Sequence, residues 1–146
     1  DWSNNLKKLT AQEERGRELF VGDKAKCFDC HRMEDFTTDE FKNIGLYNEI
    51  ELNDAGLFNI TKKETDKGKF KIPGLRNIGV TAPYMHNGMF KTLEEVVNYY
   101  NNPIQFVKDG INTDELLQKP LGLTEREKKD LVAFLKTLTD KKYLRK

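Results

Sequence analysis

The pentapeptide CFDCH, residues Cys27 to His31, constrains this chain more than any other feature. Its two cysteines are the only cysteines among 146 residues, and one of the two histidines directly follows the second cysteine. Thiols placed two residues apart bind a metal ion, exchange disulfides or anchor a larger group. These three chemistries need different surroundings, so the rest of the sequence can discriminate among them.

Two of the three chemistries find little support elsewhere in the chain. A structural zinc site needs four ligands, usually cysteines and histidines. Beyond the two cysteines the chain offers only His31 and His86, and adjacent Cys30 and His31 are poorly placed for simultaneous tetrahedral ligation. A thioredoxin-like dithiol normally begins a helix in a βαβ unit, and no alternating strand pattern indicates such a unit here.

The remaining chemistry is covalent attachment of haem, for which C-x-x-C-H is the known motif. Each thiol forms a thioether with one vinyl group of the porphyrin, and the imidazole that follows ligates the iron. The pattern predicts one haem c, anchored by Cys27 and Cys30, with His31 as the proximal ligand. The composition agrees, because 37% hydrophobic residues are few for a self-sufficient core and a haem would supply apolar interior.

Charge and hydropathy exclude several other classes of protein. Twenty-five lysines and arginines against 24 aspartates and glutamates give a net charge of +1, unlike the basic excess of a nucleic-acid-binding protein. The sequence contains no apolar run long enough for a membrane span or a signal peptide. Because thioethers are formed outside the cytoplasmic membrane, we expect a periplasmic protein whose leader is removed.

Three helices are predicted from capping boxes, in which a threonine precedes a glutamate by three residues. The segments are LTAQEERGRELF, KTLEEVVNYYN and LTEREKKDLVAFLKTLTD, with the pairs Thr10 and Glu13, Thr92 and Glu95, and Thr124 and Glu127. The last segment has a buried-face pattern at Leu131, Phe134, Leu135 and Leu138. Residues 35–71 are predicted to be mostly irregular. We expect a single all-α domain over residues 1–146, a cytochrome c-like haem domain with long loops and a helical core of about 10–140.

Gly16 lies inside the first predicted helix, where glycine costs roughly 1 kcal/mol relative to alanine. It is either simply tolerated or needed for the close approach of another helix. First and last helices cross in small c-type cytochromes. The expected contact therefore joins Gly16 and Phe20 to Phe134 and Leu135.

The sixth iron ligand is less constrained by the residues themselves. Met33 follows His31 too closely to reach the opposite face of the ring. A methionine from a later loop is usual in small cytochromes, which favours Met89 or Met85, although both could simply line the pocket. His86 and Tyr100 are further candidates.

Tyr100 falls on the same helical face as the apolar residues of the second predicted helix, whereas Tyr99 points elsewhere. From the residues alone, a core tyrosine whose hydroxyl bonds to a neighbour is favoured over an iron ligand at this position. The apolar residues that share the face of Tyr100 are Leu93, Val96 and Val97.

Two long segments resemble the C-terminal haem domain of bacterial dihaem cytochrome c peroxidases and the related MauG proteins. They are FKIPGLRNIGVTAPYMHNGMFKTLEEVVNYYN and LGLTEREKKDLVAFLKTLT, and the resemblance extends over nearly the whole chain. Its most specific parts are F-K-x-P-x-L-R-N and T-A-P-Y-M-H-N-G. Gly74 departs from the pattern, because threonine is common there.

The resemblance implies a sixth ligand on the helix after the T-A-P-Y loop. That ligand is methionine in the peroxidase branch and tyrosine in the MauG branch, and the matching position here is Tyr100. Tyr100 therefore becomes the leading candidate and Met89 the second. A phenolate is a hard anion that favours Fe(III), so a His/Tyr haem would have a lower reduction potential than a His/Met haem.

Further sites follow from the resemblance. It implies a calcium ion between two haem domains, held partly by backbone carbonyls at Thr81 and Pro83, and it places His86 near the second haem. Arg76 is a candidate partner for a haem propionate on grounds of charge, with an ordinary surface arginine as the alternative.

The family's N-terminal haem domain, where peroxide reacts, is absent from this sequence. We therefore expect an electron-transfer domain that relays electrons to or from that second haem, with a small redox protein as the electron donor. Whether this chain alone is an enzyme stays open. The alternative is a stand-alone monohaem c-type cytochrome or a weak peroxidase.

Overall fold

The computed structural model describes residues 8–32, 34–107 and 109–143, so Met33 lies outside the described residues. Within these ranges the protein is mostly helical. The helices are α1 (Ala11–Val21), α2 (Cys27–Cys30), α3 (Phe58–Thr61), α4 (Leu93–Asn101), α5 (Pro103–Phe106) and α6 (Glu125–Thr137). Single 3-10 turns cover Glu64–Asp66, Ile78–Val80, Glu115–Leu117 and Lys141–Tyr143.

All three predicted capping boxes are confirmed, at the starts of α1, α4 and α6. In each, the threonine side chain accepts a hydrogen bond from the backbone N–H of the glutamate three residues later, and the glutamate carboxylate accepts one from the threonine N–H. The helix starts are thus determined by local sequence, because each box satisfies two backbone donors that the helix leaves unpaired.

The close approach predicted at Gly16 is also confirmed, since α1 and α6 pack directly against each other. A Cβ added at Gly16 would collide with the carbonyl oxygen of Asp130 and lie 2.8 Å from the Cβ of Phe134. The rings of Phe20 and Phe134 lie 5.3 Å apart. Arg15 donates hydrogen bonds of 2.7 and 3.0 Å to the buried carboxylate of Asp130, which ties the two helices together.

The expectation of an all-α domain is wrong in one detail, because the described residues include a small antiparallel sheet. Strand β1 (Phe41–Lys42) pairs with β2 (Phe70–Lys71), with Phe41 opposite Lys71 and Lys42 opposite Phe70. Strands of two residues are too short to produce an alternating pattern that sequence reading can detect. The segment predicted as mostly irregular also contains α3 and one 3-10 turn.

Helix α4 is buried on two sides rather than one. Leu93 and Val97 face the core as expected, but Tyr99, which was expected to point elsewhere, has no exposed surface at all. Its hydroxyl donates a hydrogen bond to the carbonyl of Ile44, and its ring meets that of Tyr100 edge-on at 5.5 Å. The loop around Ile44 covers this second side, and no pattern within the helix reports such a long-range contact.

Candidate functional site

A cavity of about 600 Å³, here called the central cavity, lies among α1, α2, α4 and α6. This volume falls within the range of pockets that hold organic cofactors, and such pockets are mainly apolar. Its walls are mainly hydrophobic, and the helices contribute Phe20, Leu93, Val96, Val97, Leu131 and Leu135. The helix crossing at Gly16 supports one wall, since Phe20 and Leu135 come from the two crossing helices.

Cys27, Cys30 and His31 all line the central cavity. Helix α2 forms a single turn from Cys27 to Cys30, and the His31 N–H closes it by donating to the Cys27 carbonyl at 2.9 Å. Residues three apart on a helix lie on the same side, which explains why both sulfur atoms border one space. Both cysteines are free thiols in this structure.

The surroundings of the thiols differ from those of a redox dithiol. Burial raises the pKa of the Cys27 thiol to about 12. Burial likewise raises the pKa of Cys30, opposed by the nearby positive charge of Lys42. Reactive or metal-binding cysteines have lowered pKa values instead. Within the described ranges, moreover, no three Cys, His, Asp or Glu side chains are grouped to hold a metal ion.

The imidazole of His31 is oriented by a backbone carbonyl. Its Nδ1 lies 2.8 Å from the carbonyl oxygen of Phe36, and because a carbonyl only accepts, Nδ1 carries the proton. Burial lowers the pKa of His31, opposed by hydrogen bonds to the backbone carbonyls of Phe36 and Pro73. No sequence pattern predicts this contact, because Phe36 adopts a left-handed conformation (φ +56°) that its residue type does not indicate.

Of the candidates for the sixth ligand, Tyr100 and Met85 line the central cavity and Met89 does not. Met89 is 41% exposed, and its sulfur lies 3.7 Å from the side-chain amide of Asn87. Burial raises the pKa of the Tyr100 phenol, and the nearby thiols Cys27 and Cys30 raise it further. The phenol is therefore neutral here and ionises only if a positive charge comes close.

The residues implied by the family resemblance lie at the edge of the central cavity or outside it. Thr81, Pro83 and His86 line the cavity and are also exposed to solvent. His86 stacks on Phe70, with ring centroids 3.7 Å apart and an interplanar angle of 10°. That the carbonyl groups of Thr81 and Pro83 bind calcium stays a prediction.

Arg76 does not line the central cavity. Its guanidinium forms an ion pair with Asp35 and donates a 2.8 Å hydrogen bond to the Glu34 carbonyl. The side chain is 62% exposed. A propionate contact at Arg76 stays a prediction and would need this exposed pair to reorganise.

Sequence reasoning missed a polar group in the cavity wall. Lys42 and Asp114 line the central cavity and form an ion pair of 2.8 Å, and both charges influence the pKa of Cys30. Lys26 and Lys71 line the cavity as well. No sequence signal could have found the pair, because its members are 72 residues apart and lie in segments without helical or strand periodicity.

None of the helices in the described part of the chain has the length and hydrophobicity to cross a membrane.

No protein-family model matches the chain, but individual proteins do. Cytochrome-c peroxidase IdrP1 of Denitromonas iodatirespirans is 37% identical over 90% of this chain and 41% of its own length. The methylamine utilization protein MauG of Methylorubrum extorquens is 39% identical over 89% of this chain and 35% of its own length. The chain thus spans about two fifths of the curated relatives that it matches.

Solved structures give the same result. The diheme peroxidase BthA of Burkholderia thailandensis superposes with a TM-score of 0.80 at 28% sequence identity. The alignment covers 94% of this chain and 44% of that protein. Sequence and structure therefore point to the same group of proteins, each longer than this chain.

Proposed function

Because the chain is homologous to bacterial cytochrome c peroxidases and MauG proteins, we propose that it is a haem c-binding electron-transfer domain. In the longer protein it would relay electrons to or from a second haem, at which peroxide reacts. The observation that carries the proposal is that Cys27, Cys30, His31 and Tyr100 border one central cavity.

The residues of the central cavity fit a haem c. Two neutral thiols are available for thioether bonds, the imidazole of His31 borders the cavity, and hydrophobic side chains form most of the remaining wall. When bound, the haem iron accepts or gives one electron at a time between Fe(II) and Fe(III). The chain itself would anchor the porphyrin, hold the imidazole in one tautomer and exclude water.

Tyr100 is the residue that we propose opposite His31, ahead of Met89. Support comes from its position in the cavity wall and from the exposure of Met89. Burial raises the pKa of the phenol, so the iron cation would have to supply the charge needed to ionise it. An anionic ligand stabilises Fe(III), so the domain would work at a lower potential than a His/Met cytochrome.

The partners and location belong to the same proposal. The missing part of the longer protein would be an N-terminal haem domain, and a small redox protein would be the electron donor. A calcium ion held by the carbonyls of Thr81 and Pro83 would lie between the domains, beside His86. The longer protein would act in the periplasm, where thioethers are formed.

The proposal is tested first on the haem and then on the relay. The chain, produced with thioether-forming machinery, should retain haem on a denaturing gel and show one porphyrin by intact mass. Release of the haem into acidified organic solvent would contradict thioether attachment.

The relay is tested in the parent protein, whose reading frame should encode a second C-x-x-C-H motif. There, His31→Gly should abolish reduction of the peroxide-reacting haem by the donor while that haem still binds peroxide. If the parent encodes no second motif and the domain alone reduces peroxide, the stand-alone alternative is correct instead.

A further inference from the structure

We infer that Asn101 is a positioning residue for Tyr100, because it fastens the end of α4 to a loop that forms part of the cavity wall. This loop, residues 114–123, is here called the leucine strap. Its residues Leu116, Leu117, Leu121 and Leu123 all line the central cavity, whereas Asn101 itself does not. The inference rests on the proposed ligation of haem iron by Tyr100.

Tyr100 is not held in place by its own hydroxyl group. In the part of the chain that the structure describes, this hydroxyl forms no hydrogen bond. The hydroxyl of Tyr99, in contrast, donates to the Ile44 carbonyl. The ring of Tyr100 is partly buried and contacts that of Tyr99 edge-on. Its direction into the cavity therefore depends on the backbone of α4.

That backbone is close to its end at Tyr100, since α4 ends at Asn101. The last carbonyl groups of a helix have no partner within it, and helix ends fray for this reason. The Asn102 N–H donates to the Tyr99 carbonyl at 3.1 Å, and Pro103 begins the next helix. The carbonyl of Asn101 is thus left for a partner outside α4.

Asn101 forms three hydrogen bonds with the leucine strap. Its backbone carbonyl accepts from the Leu121 N–H at 2.9 Å. Its side-chain amide accepts from the Leu123 N–H at 2.8 Å and donates to the Leu123 carbonyl at 3.3 Å. Leu123 is buried, so removal of the amide leaves two backbone groups without their partners, which is costly.

The other end of the leucine strap is fastened independently. There the Asp114 N–H donates to the Asn43 carbonyl at 2.9 Å, and the Asp114 carboxylate accepts from Lys42 at 2.8 Å. Between the two ends, the hydrogen bonds of residues 115–120 in the described structure stay within the strap or reach the adjacent Thr113. The polar attachment of the strap to α4 is therefore concentrated at Asn101.

This arrangement couples the cavity wall to the proposed ligand. A cofactor in the central cavity would lie against the strap leucines, and the strap in turn holds the helix end that carries Tyr100. A ligand on a fixed backbone loses little conformational freedom when it binds. Loosening the end of α4 should thus weaken the bond from the Tyr100 oxygen to iron, chiefly by faster dissociation.

The experiment uses the haem-loaded ferric chain with cyanide as the probe, followed by stopped-flow absorbance. At saturating cyanide, dissociation of the sixth ligand limits the rate of binding to a six-coordinate haem. The variants are Asn101→Ala, Tyr100→Phe and their combination. Asn98→Ala is the matched control, because Asn98 is exposed on the same helix and accepts from Lys128 of α6 rather than from the strap.

Asn101→Ala should raise the limiting rate about tenfold, the size expected when buried backbone groups lose their partner. The high-spin fraction of the ferric spectrum should rise with it. In the Tyr100→Phe background, Asn101→Ala should change the rate by less than about twofold, because no phenolate has to leave. Asn98→Ala should likewise stay within about twofold of the wild type.

An unchanged limiting rate in haem-loaded Asn101→Ala would overturn the inference, even if its unfolding free energy falls, because Asn101 would then be structural only. Equal acceleration in both backgrounds would also overturn it, since Asn101 would control access rather than the ligand. If Asn101→Ala retains no haem, Asn101→Asp provides the test, because it keeps the acceptor for the Leu123 N–H and loses only the donor. It should raise the limiting rate about threefold, and an unchanged rate would overturn the inference.

A failure of the proposed ligation gives a different result. Wild type and Tyr100→Phe would then bind cyanide at the same rate and share one ferric spectrum. That outcome would refute Tyr100 as the iron ligand and the inference with it.

Discussion

The two sides of the central cavity are built in different ways. The side that we call proximal, after the proposed ligation by His31, consists of Cys27, Cys30 and His31, which lie within five consecutive residues around one helical turn. The side that we call distal, after the proposed ligand Tyr100, consists of Tyr100 and Met85, which come from a helix and from the loop before it. The proximal side is therefore specified locally, whereas the distal side depends on how α4 packs against the rest of the fold.

This difference explains why the residues of one side are easier to predict from sequence than those of the other. A local attachment motif can be identified from sequence alone, because the attachment chemistry determines both the residue types and their spacing. A distal residue needs only to reach the cavity, and several residue types can do so. The proximal side should thus tolerate almost no change, while the distal side should accept changes that alter reactivity without loss of the cofactor.

The largest effect is expected on the proximal side. Cys27→Ala combined with Cys30→Ala should abolish covalent attachment completely, because no other cysteine is present in the chain. Haem staining after denaturing electrophoresis is the measurement. Cys27→Ala alone is the matched control and should keep one thioether, so staining that persists in the double variant would show that the anchors lie elsewhere.

The next effect tests the distal side. Tyr100→Phe should keep the haem but open the sixth coordination position, which turns the ferric iron high-spin and lets it bind cyanide at least tenfold more tightly. Optical and electron paramagnetic resonance spectra are the measurements.

Tyr99→Phe is the matched control for that experiment. It removes the hydroxyl that donates to the Ile44 carbonyl and leaves a buried acceptor unpaired, which costs about 1–3 kcal/mol of unfolding free energy. Its spectrum should be that of the wild type. If the control changes the spin state and Tyr100→Phe does not, the assignment of the distal ligand is wrong.

A smaller effect is expected at the crossing of α1 and α6, which supports the cavity as a whole. Gly16→Ala places a methyl group against the Asp130 carbonyl and the Phe134 Cβ, so α1 and α6 must move apart. Overpacking typically costs about 1–3 kcal/mol, against which alanine gains about 1 kcal/mol of helix propensity. We expect a net loss of about 1–2 kcal/mol in urea unfolding, toward the upper part of that balance because the Asp130 carbonyl is backbone.

Lys129→Ala is the control on the partner helix, because Lys129 is exposed on α6. It should change the unfolding free energy by less than about 0.5 kcal/mol. An equal stability of Gly16→Ala and wild type would mean that the crossing is looser than the structure indicates.

The smallest effect concerns Met89. Because its side chain is 41% exposed and lies outside the cavity wall, Met89→Ala should leave both spectrum and potential unchanged. The weak near-infrared band of methionine-ligated ferric haem should be absent before and after the substitution. Its presence in the wild type and loss in Met89→Ala would make the distal side a His/Met site.

Much of the fold could be predicted where the signal is local. Each capping box joins residues three apart, and the attachment motif occupies five consecutive residues. Gly16 was predictable as a close contact because a helix-interior glycine is costly and needs a reason. The composition also pointed to a missing apolar interior, which agrees with the central cavity.

The features that were missed depend on contacts or backbone conformations that the residue types do not predict. Tyr99 is buried by a loop 55 residues away, and the Lys42–Asp114 pair joins segments without periodicity. The contact of the Phe36 carbonyl with His31 depends on a left-handed backbone conformation that the residue type phenylalanine does not predict. In each case the sequence states which residue is present, but the partner that determines its role comes from elsewhere in the fold.

The crossing of α1 and α6 has a consequence for the order of assembly. Its ion pair joins residues 115 positions apart, so forming it closes most of the chain into one loop at an entropic cost. Contacts of such high sequence separation slow folding. The wall that Leu131 and Leu135 supply cannot form until α6 has packed against α1, whereas the helical turn from Cys27 to Cys30 needs only local contacts. The thiols thus stay accessible until the last helix closes the central cavity.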